Sequence, residues 1–297
     1  MRVRLVVTGD LEKLSLGASL SRALRAAGAN VHFDAAFKVS GGAMTTSPLP
    51  DPSNKMSPVP TPVQRMVRAL VTETLGGPSG TRPDLVIGID DLELANAHQP
   101  AVVTAWVRRA VHEEIVARFP SYPSQDAANH AREALRSRCS FHLFVPLAEG
   151  YFFGEPAAVR RAGVAPGVPV HRLGTDVEDF ATDDPGFLPL AASRNADMVV
   201  RNYPWWREER HPKRYLDFLV QRSGGIYDET RGGRAALETL DWPMVGAAPS
   251  AVRFARALFE DLSEALGITN PLGAGATAEW TFPPRTARPE TLTLRNL

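Results

Sequence analysis

Asp84-Leu85-Val86-Ile87-Gly88-Ile89-Asp90-Asp91-Leu92-Glu93 constrains the fold more than any other stretch of the chain. Its apolar, mostly β-branched core shows no polar alternation, so a strand here has to be buried on both faces. That is the pattern of a parallel sheet with helices on either side. The run stops at two aspartates, and Glu93 follows. Open α/β sheets bind ligands at the carboxyl ends of their strands. Like charges crowded there repel one another unless protons or a cation neutralise them. The strand end therefore calls for a divalent metal, and an all-oxygen donor set suits Mg²⁺ or Mn²⁺. The competing reading is structural: Asp90 or Asp91 caps a helical segment from Leu92 to Ala97, with Glu93 favoured by the helix dipole.

The flanking sequence alternates in the way such a sheet requires. Arg4 to Thr8 reads as a strand ending at Gly9. Leu14, Leu16, Leu20, Leu24 and Ala27 then recur at helical spacing, and Gly28 closes that helix. Val31 to Phe37 reads as a second strand. Residues 40 to 62 carry Pro48, Pro50, Pro52, Pro58, Pro60 and Pro62. They predict a long surface loop, of the kind that is either functional or disordered. Helical patterns follow at Val63 to Leu75, Val102 to Ile115 and Asp126 to Arg138. A third buried strand reads from Phe141 to Val145, and a helix or turn from Ala148 to Arg161. Residues 1–165 thus form an α/β domain with a mostly parallel sheet. Pro, Gly and acidic residues dominate up to Phe187. Helical spacing returns at His211 to Gln221, Arg231 to Leu240 and Ser250 to Leu266. Residues 166–267 are expected to form a helical part packed on the sheet, and residues 268–297 an extended tail.

A chain of 297 residues that is 44% hydrophobic can build a sizeable core. Lys plus Arg and Asp plus Glu both number 33. The zero net charge removes the global basic balance of many nucleic-acid binders but leaves room for a local basic surface. Cys139 has no cysteine partner, which points to a reducing compartment, and it reads as a small buried hydrophobe. No apolar run is long enough to span a bilayer, and Met1 to Leu5 enters a strand instead of a signal sequence. The expectation is a soluble cytoplasmic protein without a membrane partner. The histidines show no metal-ligand spacing, and only His211 lies near a motif. Thr8-Gly9-Asp10-Leu11-Glu12 lacks the Gly-x-Gly-x-x-Gly pattern of dinucleotide-binding folds.

Five motifs occur in order: Thr8-Gly9-Asp10-Leu11-Glu12, Asp90-Asp91-Leu92-Glu93, Ala148-Glu149-Gly150-Tyr151-Phe152, His211-Pro212-Lys213-Arg214-Tyr215-Leu216 and Tyr227-Asp228-Glu229-Thr230-Arg231-Gly232-Gly233. Over roughly residues 1 to 267 they resemble an uncharacterised bacterial family with a Toprim-like fold. Members of that family are often encoded beside ATPases of the ABC or overcoming-lysogenization-defect type, and the second component of the abortive-infection system AbiL is similar. The resemblance implies a glutamate at the end of the first strand, followed by Gly, and an Asp-x-Asp pair after a later strand. These acids hold Mg²⁺ for phosphodiester chemistry. Thr8 stands at the glutamate position. Glu12 matches a second acid of the same loop, and Asp10 adds another. The pair corresponds to Asp91 and Glu93, or to Asp90 with Leu92 breaking the pattern. Glu149 resembles the third acid. The implied metal set is Asp10, Glu12, Asp90, Asp91, Glu93 and Glu149.

Lys213 opens a helix behind Pro212, where helix dipole and ammonium together favour phosphate. Arg231 and Arg234 flank Gly232-Gly233, whose bare backbone could also meet an anion. Tyr203-Pro204-Trp205-Trp206 reads first as a buried structural anchor, then as a partner patch or a nucleotide-stacking platform. The function implied is that of a Mg²⁺- or Mn²⁺-dependent nuclease or phosphotransfer subunit. Glu12, Asp91, Glu93 and Lys213 would be its catalytic residues, DNA, RNA or tRNA its target, and an ABC/AAA-type ATPase its partner in antiviral defence. The alternative is a degenerate Toprim scaffold that binds a protein or nucleic acid without turnover.

Overall fold

The computed structural model describes residues 1–54, 56–77, 80–120, 124–247, 252–273, 281–284 and 292–297. Its centre is a parallel sheet of β1 (Arg2–Val7), β2 (His32–Phe33), β3 (Phe37–Lys38), β4 (Leu85–Asp91) and β5 (Cys139–Phe144). The order is β2-β1-β4-β5, with β3 pairing on β1 beyond β2. Register runs from Val3 opposite Leu85 to Val7 opposite Ile89, and from Val86 opposite Cys139 to Asp91 opposite Phe144. The carboxyl ends of β1, β4 and β5 therefore share one edge.

Helices cover both faces, as the unbroken apolar run of β4 requires. On one face lie α1 (Gly17–Ala26) and most of the C-terminal elements, packed on Val3, Leu5, Val7, Leu85, Ile87 and Ile89. On the other lie α2 (Thr61–Thr74), α3 (Pro100–Arg118) and α4 (Ser124–Arg138), packed on Val6, Val86, Cys139, Phe141 and Leu143. The C-terminal layer comprises α5 (Pro156–Arg161), α6 (Leu188–Val200), α7 (Pro212–Arg222), α8 (Arg234–Glu238), α9 (Trp242–Val245) and α10 (Arg253–Leu266). It shares one hydrophobic core with the sheet. Trp242 ties that layer down: it is fully buried, lies against Tyr151 and Phe259, and its indole donates to Ser19 Oγ at 2.9 Å.

The expected architecture, a mostly parallel α/β sheet with a helical C-terminal extension, is the one observed. Some elements differ from their sequence reading. The second strand is two short ones, because the chain leaves the ladder at Asp34, whose carboxylate pairs with Arg2 at 3.0 Å and Arg4 at 3.5 Å. The Pro-rich stretch 40 to 62, of which residue 55 lies outside the described residues and 61–62 open α2, is pinned along its described part rather than loose. Asn96 donates to the carbonyls of Thr45 and Ser47, Trp106 donates to that of Pro50, and Met44, Leu49 and Val59 are buried. Helix α6 escaped the sequence reading because only Ala191 and Met198 of it face the core. Of residues 268–297, 274–280 and 285–291 lie outside the described residues. At the end of the chain, Arg295 and Asn296 hydrogen-bond the backbone of Cys139 and Phe141, so this segment covers the free edge of β5.

Gly88 sits in the middle of β4 where α2 comes closest. A Cβ there would lie 2.9 Å from Leu70 Cδ2 and 3.1 Å from a Phe141 ring carbon. Gly88→Ala is therefore expected to overpack the core and to cost about 1–3 kcal/mol, read as a lower midpoint in urea unfolding. An unchanged midpoint would show that α2 can move aside.

Candidate active site

Above the shared strand edge lies a cleft of about 980 Å³. It is lined by the carboxylates of Asp10, Glu12, Asp91, Glu93, Glu149, Asp217, Asp228 and Glu229, against the cations of Lys38, Lys213 and Arg214. Such a surplus of negative charge repels a phosphate backbone unless cations enter with it.

Strand parity sorts the two aspartates of β4. Asp91 follows Leu85, Ile87 and Ile89 onto the face covered by the C-terminal helices, whereas Asp90 follows Val86 onto the other. Asp91 Oδ1 accepts the Ala148 amide at 3.0 Å, which ties the end of β4 to the turn carrying Glu149. Asp90 is buried beneath the cleft and does not line it. Thr8 Oγ1 donates to its Oδ1, and the Met44 amide donates to its Oδ2 at 3.1 Å. Asp90 is thus a structural acid and not a cleft ligand. Burial raises it to about 8, even though both hydrogen bonds favour the ionised form. Residue 8 points the same way as Asp90, so a threonine hydroxyl there satisfies a buried carboxyl.

Glu12 reaches the place that Thr8 leaves. The chain turns from β1 into α1 through a π-helical turn, Glu12–Leu16, and folds the Glu12 side chain back over Gly9. A Cβ on residue 9 would overlap Glu12 Oε2, so only glycine leaves room for the carboxylate. Glu12 is raised to about 7, first by burial and then by Glu149. Asp91 is raised well above its ordinary range, first by burial and then by Glu12 and Glu149. Glu149, buried in a 3₁₀ turn (Ala148–Gly154), is also raised by burial, with Lys213 opposing. Three acids from three separate segments therefore face one another and share too little positive charge. Glu93 is half-buried nearer the rim, takes a hydrogen bond from Thr46 at 3.3 Å and is raised by burial. Asp10 lies outside this group, exposed and paired with Lys38.

Lys213 heads α7 behind Pro212, as read, but its ammonium turns inward. It donates to Glu229 Oε1 and lies 3.9 Å from Glu149 Oε1. Burial works against its charge, and Glu149 and Glu229 outweigh that cost, holding Lys213 above its ordinary range. The sequence reading missed Tyr227 and Glu229. The Tyr227 hydroxyl donates to Glu149 Oε1 at 3.2 Å, and Glu229 opens a second π-helical turn, Glu229–Gly233. Both π turns place an acid in the cleft, and such turns frequently mark functional sites. The signal was the spacing Tyr227-x-Glu229 in a motif read for its resemblance and for the arginines and glycines at its end. Those glycines are required by packing: a Cβ on Gly232 would lie 2.6 Å from the Ala162 carbonyl, and one on Gly233 2.6 Å from the Tyr227 hydroxyl. Arg231 and Arg234 pair with Asp228 and Glu238.

Carboxylate oxygens alone make a donor set that fits a hard divalent cation. As the side chains stand, no three His, Cys, Asp or Glu among the described residues come close enough to hold one. Among the described residues, too, no helix is long and apolar enough to cross a membrane. No family model, no curated protein and no solved structure matches this chain.

Proposed function

We propose that the cleft is the hydrolytic centre of a Mg²⁺- or Mn²⁺-dependent nuclease or phosphotransfer subunit. The observation that carries this reading is the convergence of Glu12, Asp91 and Glu149, from three segments, on the carboxyl edge of a parallel sheet. Burying like charges side by side is costly, and the single hydrogen bonds from the Ala148 amide to Asp91 and from Tyr227 to Glu149 do not neutralise them. Glu12, Asp91 and Glu149 would hold the cation, with Glu93 at the rim. A bound divalent ion would supply charge neutralisation at a phosphodiester and an activated water. In the metal-free protein Glu12 is raised to about 7 by burial and by Glu149, so a divalent ion held there would compete with a proton near neutral pH. Lys213, hydrogen-bonded to Glu229 and beside Glu149, would meet a phosphate oxygen only by leaving that pair. His211 is held down to about 3 by burial and by Arg214 and Lys213, so it adds no positive charge. The paired ATPase and the antiviral role implied by the resemblance belong to the same proposal.

One observation favours a scaffold without turnover: the acids do not yet converge to ligand distance. Incubation of labelled DNA, RNA and tRNA with the protein, with and without the cognate ATPase, decides between the two. Cleavage that requires Mg²⁺ or Mn²⁺ and is lost in Asp91→Asn supports the hydrolytic centre. Absence of cleavage under either metal, with Asp91→Asn protecting cells from phage as well as wild type does, would leave the scaffold.

A further inference from the structure

The aromatic run after α6 is neither a buried anchor nor an isolated patch. Just beyond α6 and its cap Arg201, Asn202 adopts a left-handed backbone (φ 68°), and the Tyr203 amide returns to the Met198 carbonyl at 2.8 Å. This helix-end geometry fixes the turn that follows. Trp205 lies against His98 with ring centroids 5.1 Å apart and against Tyr203 at 5.8 Å, and it remains 36% exposed. Trp206 lies 6.5 Å from His211, and its indole donates to Glu208 at 2.8 Å. His98 is five residues beyond Glu93, and His211 is two before Lys213. The two ends of the cluster therefore rest on the two segments that bring those residues into the cleft. In residues 194–214 five arginines and Lys213 stand against three carboxylates, but most of these cations are paired: Arg194 and Arg201 with Asp197, Arg210 with Asp179, Arg214 with Glu208 and Lys213 with Glu229. Among its described hydrogen bonds, Arg207 donates only to the carbonyls of Pro204 and Trp206, which leaves its charge free of a carboxylate partner there.

From this juxtaposition we infer that the lip formed by Tyr203, Trp205 and His98 is a stacking platform for single-stranded nucleic acid, feeding one strand into the acidic cleft. The inference rests on reading the cleft as the reacting centre. A flat, partly open indole, with the Arg207 guanidinium two residues further along the chain, fits the face of an unpaired base and an adjacent phosphate. A duplex hides those faces, so it would gain only the electrostatic part of the binding.

Fluorescence anisotropy of a labelled oligothymidylate of about 12 nucleotides, in EDTA so that nothing is cut, tests the platform. The single strand is expected to bind more tightly than a duplex of the same length and to quench tryptophan emission. Trp205→Ala is expected to weaken binding about tenfold, and Trp205→Phe to keep most of it. Trp205→Leu retains apolar bulk without a π face and should behave like the alanine variant, which guards against a simple folding defect. Duplex binding as tight as single-strand binding, or affinity indifferent to Trp205→Leu, would overturn the platform. Trp205-dependent binding with no cleavage under any metal would keep the platform and retire the hydrolytic reading. Metal-dependent cleavage unaffected by Trp205→Leu would do the reverse.

Discussion

Gly9→Ala is expected to lower metal-dependent cleavage by on the order of a hundredfold while leaving the fold intact, and so to approach the loss in Asp91→Asn and Glu12→Gln. The backbone at residue 9 is not in the left-handed region, so alanine is tolerated locally. What the new methyl group meets is the far end of a side chain, Glu12 Oε2, which can swing away at little cost to stability. It cannot swing away and still face Asp91 and Glu149. Misplacing a catalytic group by about 1 Å is enough for a rate loss of that size. Steady-state cleavage, Mn²⁺ calorimetry and a melting curve are the measurements. Wild-type cleavage in Gly9→Ala would show that Glu12 does not act from its place over Gly9. Lost cleavage with a collapsed melting temperature would make the residue structural. Thr8→Glu is expected to fail as a repair, since its side chain points toward buried Asp90 and would set one carboxylate against another.

The features read correctly from the sequence are those written in local periodicity. The apolar run of Leu85 to Ile89 fixed a doubly covered strand, and the acids after it marked the ligand edge. The same uniform run hid which aspartate faces which layer, because parity carries no information when both faces are apolar. Helix α1 was visible in its leucine spacing. Its π-helical first turn was not, because inserting one residue into a helical turn leaves no compositional mark, and it is that turn which brings Glu12 back over Gly9. Glu149 came from the resemblance, and Asp10 was grouped with Glu12 only because they are neighbours in sequence. In space Lys38 takes Asp10 to the rim. The inward turn of Lys213 depends on Glu229 and Glu149, the latter from a distant segment, so reading its helix start alone left it free for phosphate.

The metal-free protein is expected to lose stability as pH rises from about 6.5 to 8.5, and added Mn²⁺ or Mg²⁺ to restore more of it at the upper end than at the lower. Unfolded carboxylates have given up their protons by about pH 5. In the folded chain Asp90 keeps its proton up to about 8 and Glu12 up to about 7, and burial raises Asp91, Glu93 and Glu149 as well. In that window the native state binds more protons than the unfolded state, so stability falls with pH by about 1.4 kcal/mol per pH unit for each extra proton held. His211 has the opposite sign, since its folded form is neutral while the unfolded imidazole titrates near its ordinary value; its effect fades out by about pH 7.5. Asp261, lowered by His142 and Arg295 despite its burial, contributes stability that is already complete above about pH 5. The acids of the cleft and Asp90, together with Glu178, which burial also raises to about 7 away from the cleft, therefore dominate the chosen window. A divalent ion competes with those same protons, so its stabilisation grows as they leave, reaching about 2.7 kcal/mol at a concentration of 100 Kd. Melting curves at pH 6.5, 7.5 and 8.5, with and without metal, measure both effects. Asp90→Asn should flatten the metal-free slope without touching the metal response, because Asp90 lies beneath the cleft. Asp91→Asn should flatten the slope and abolish the metal response. A melting temperature that climbs toward pH 8.5, or a metal shift equal at both ends, would mean that these acids are already balanced by cations of the protein itself.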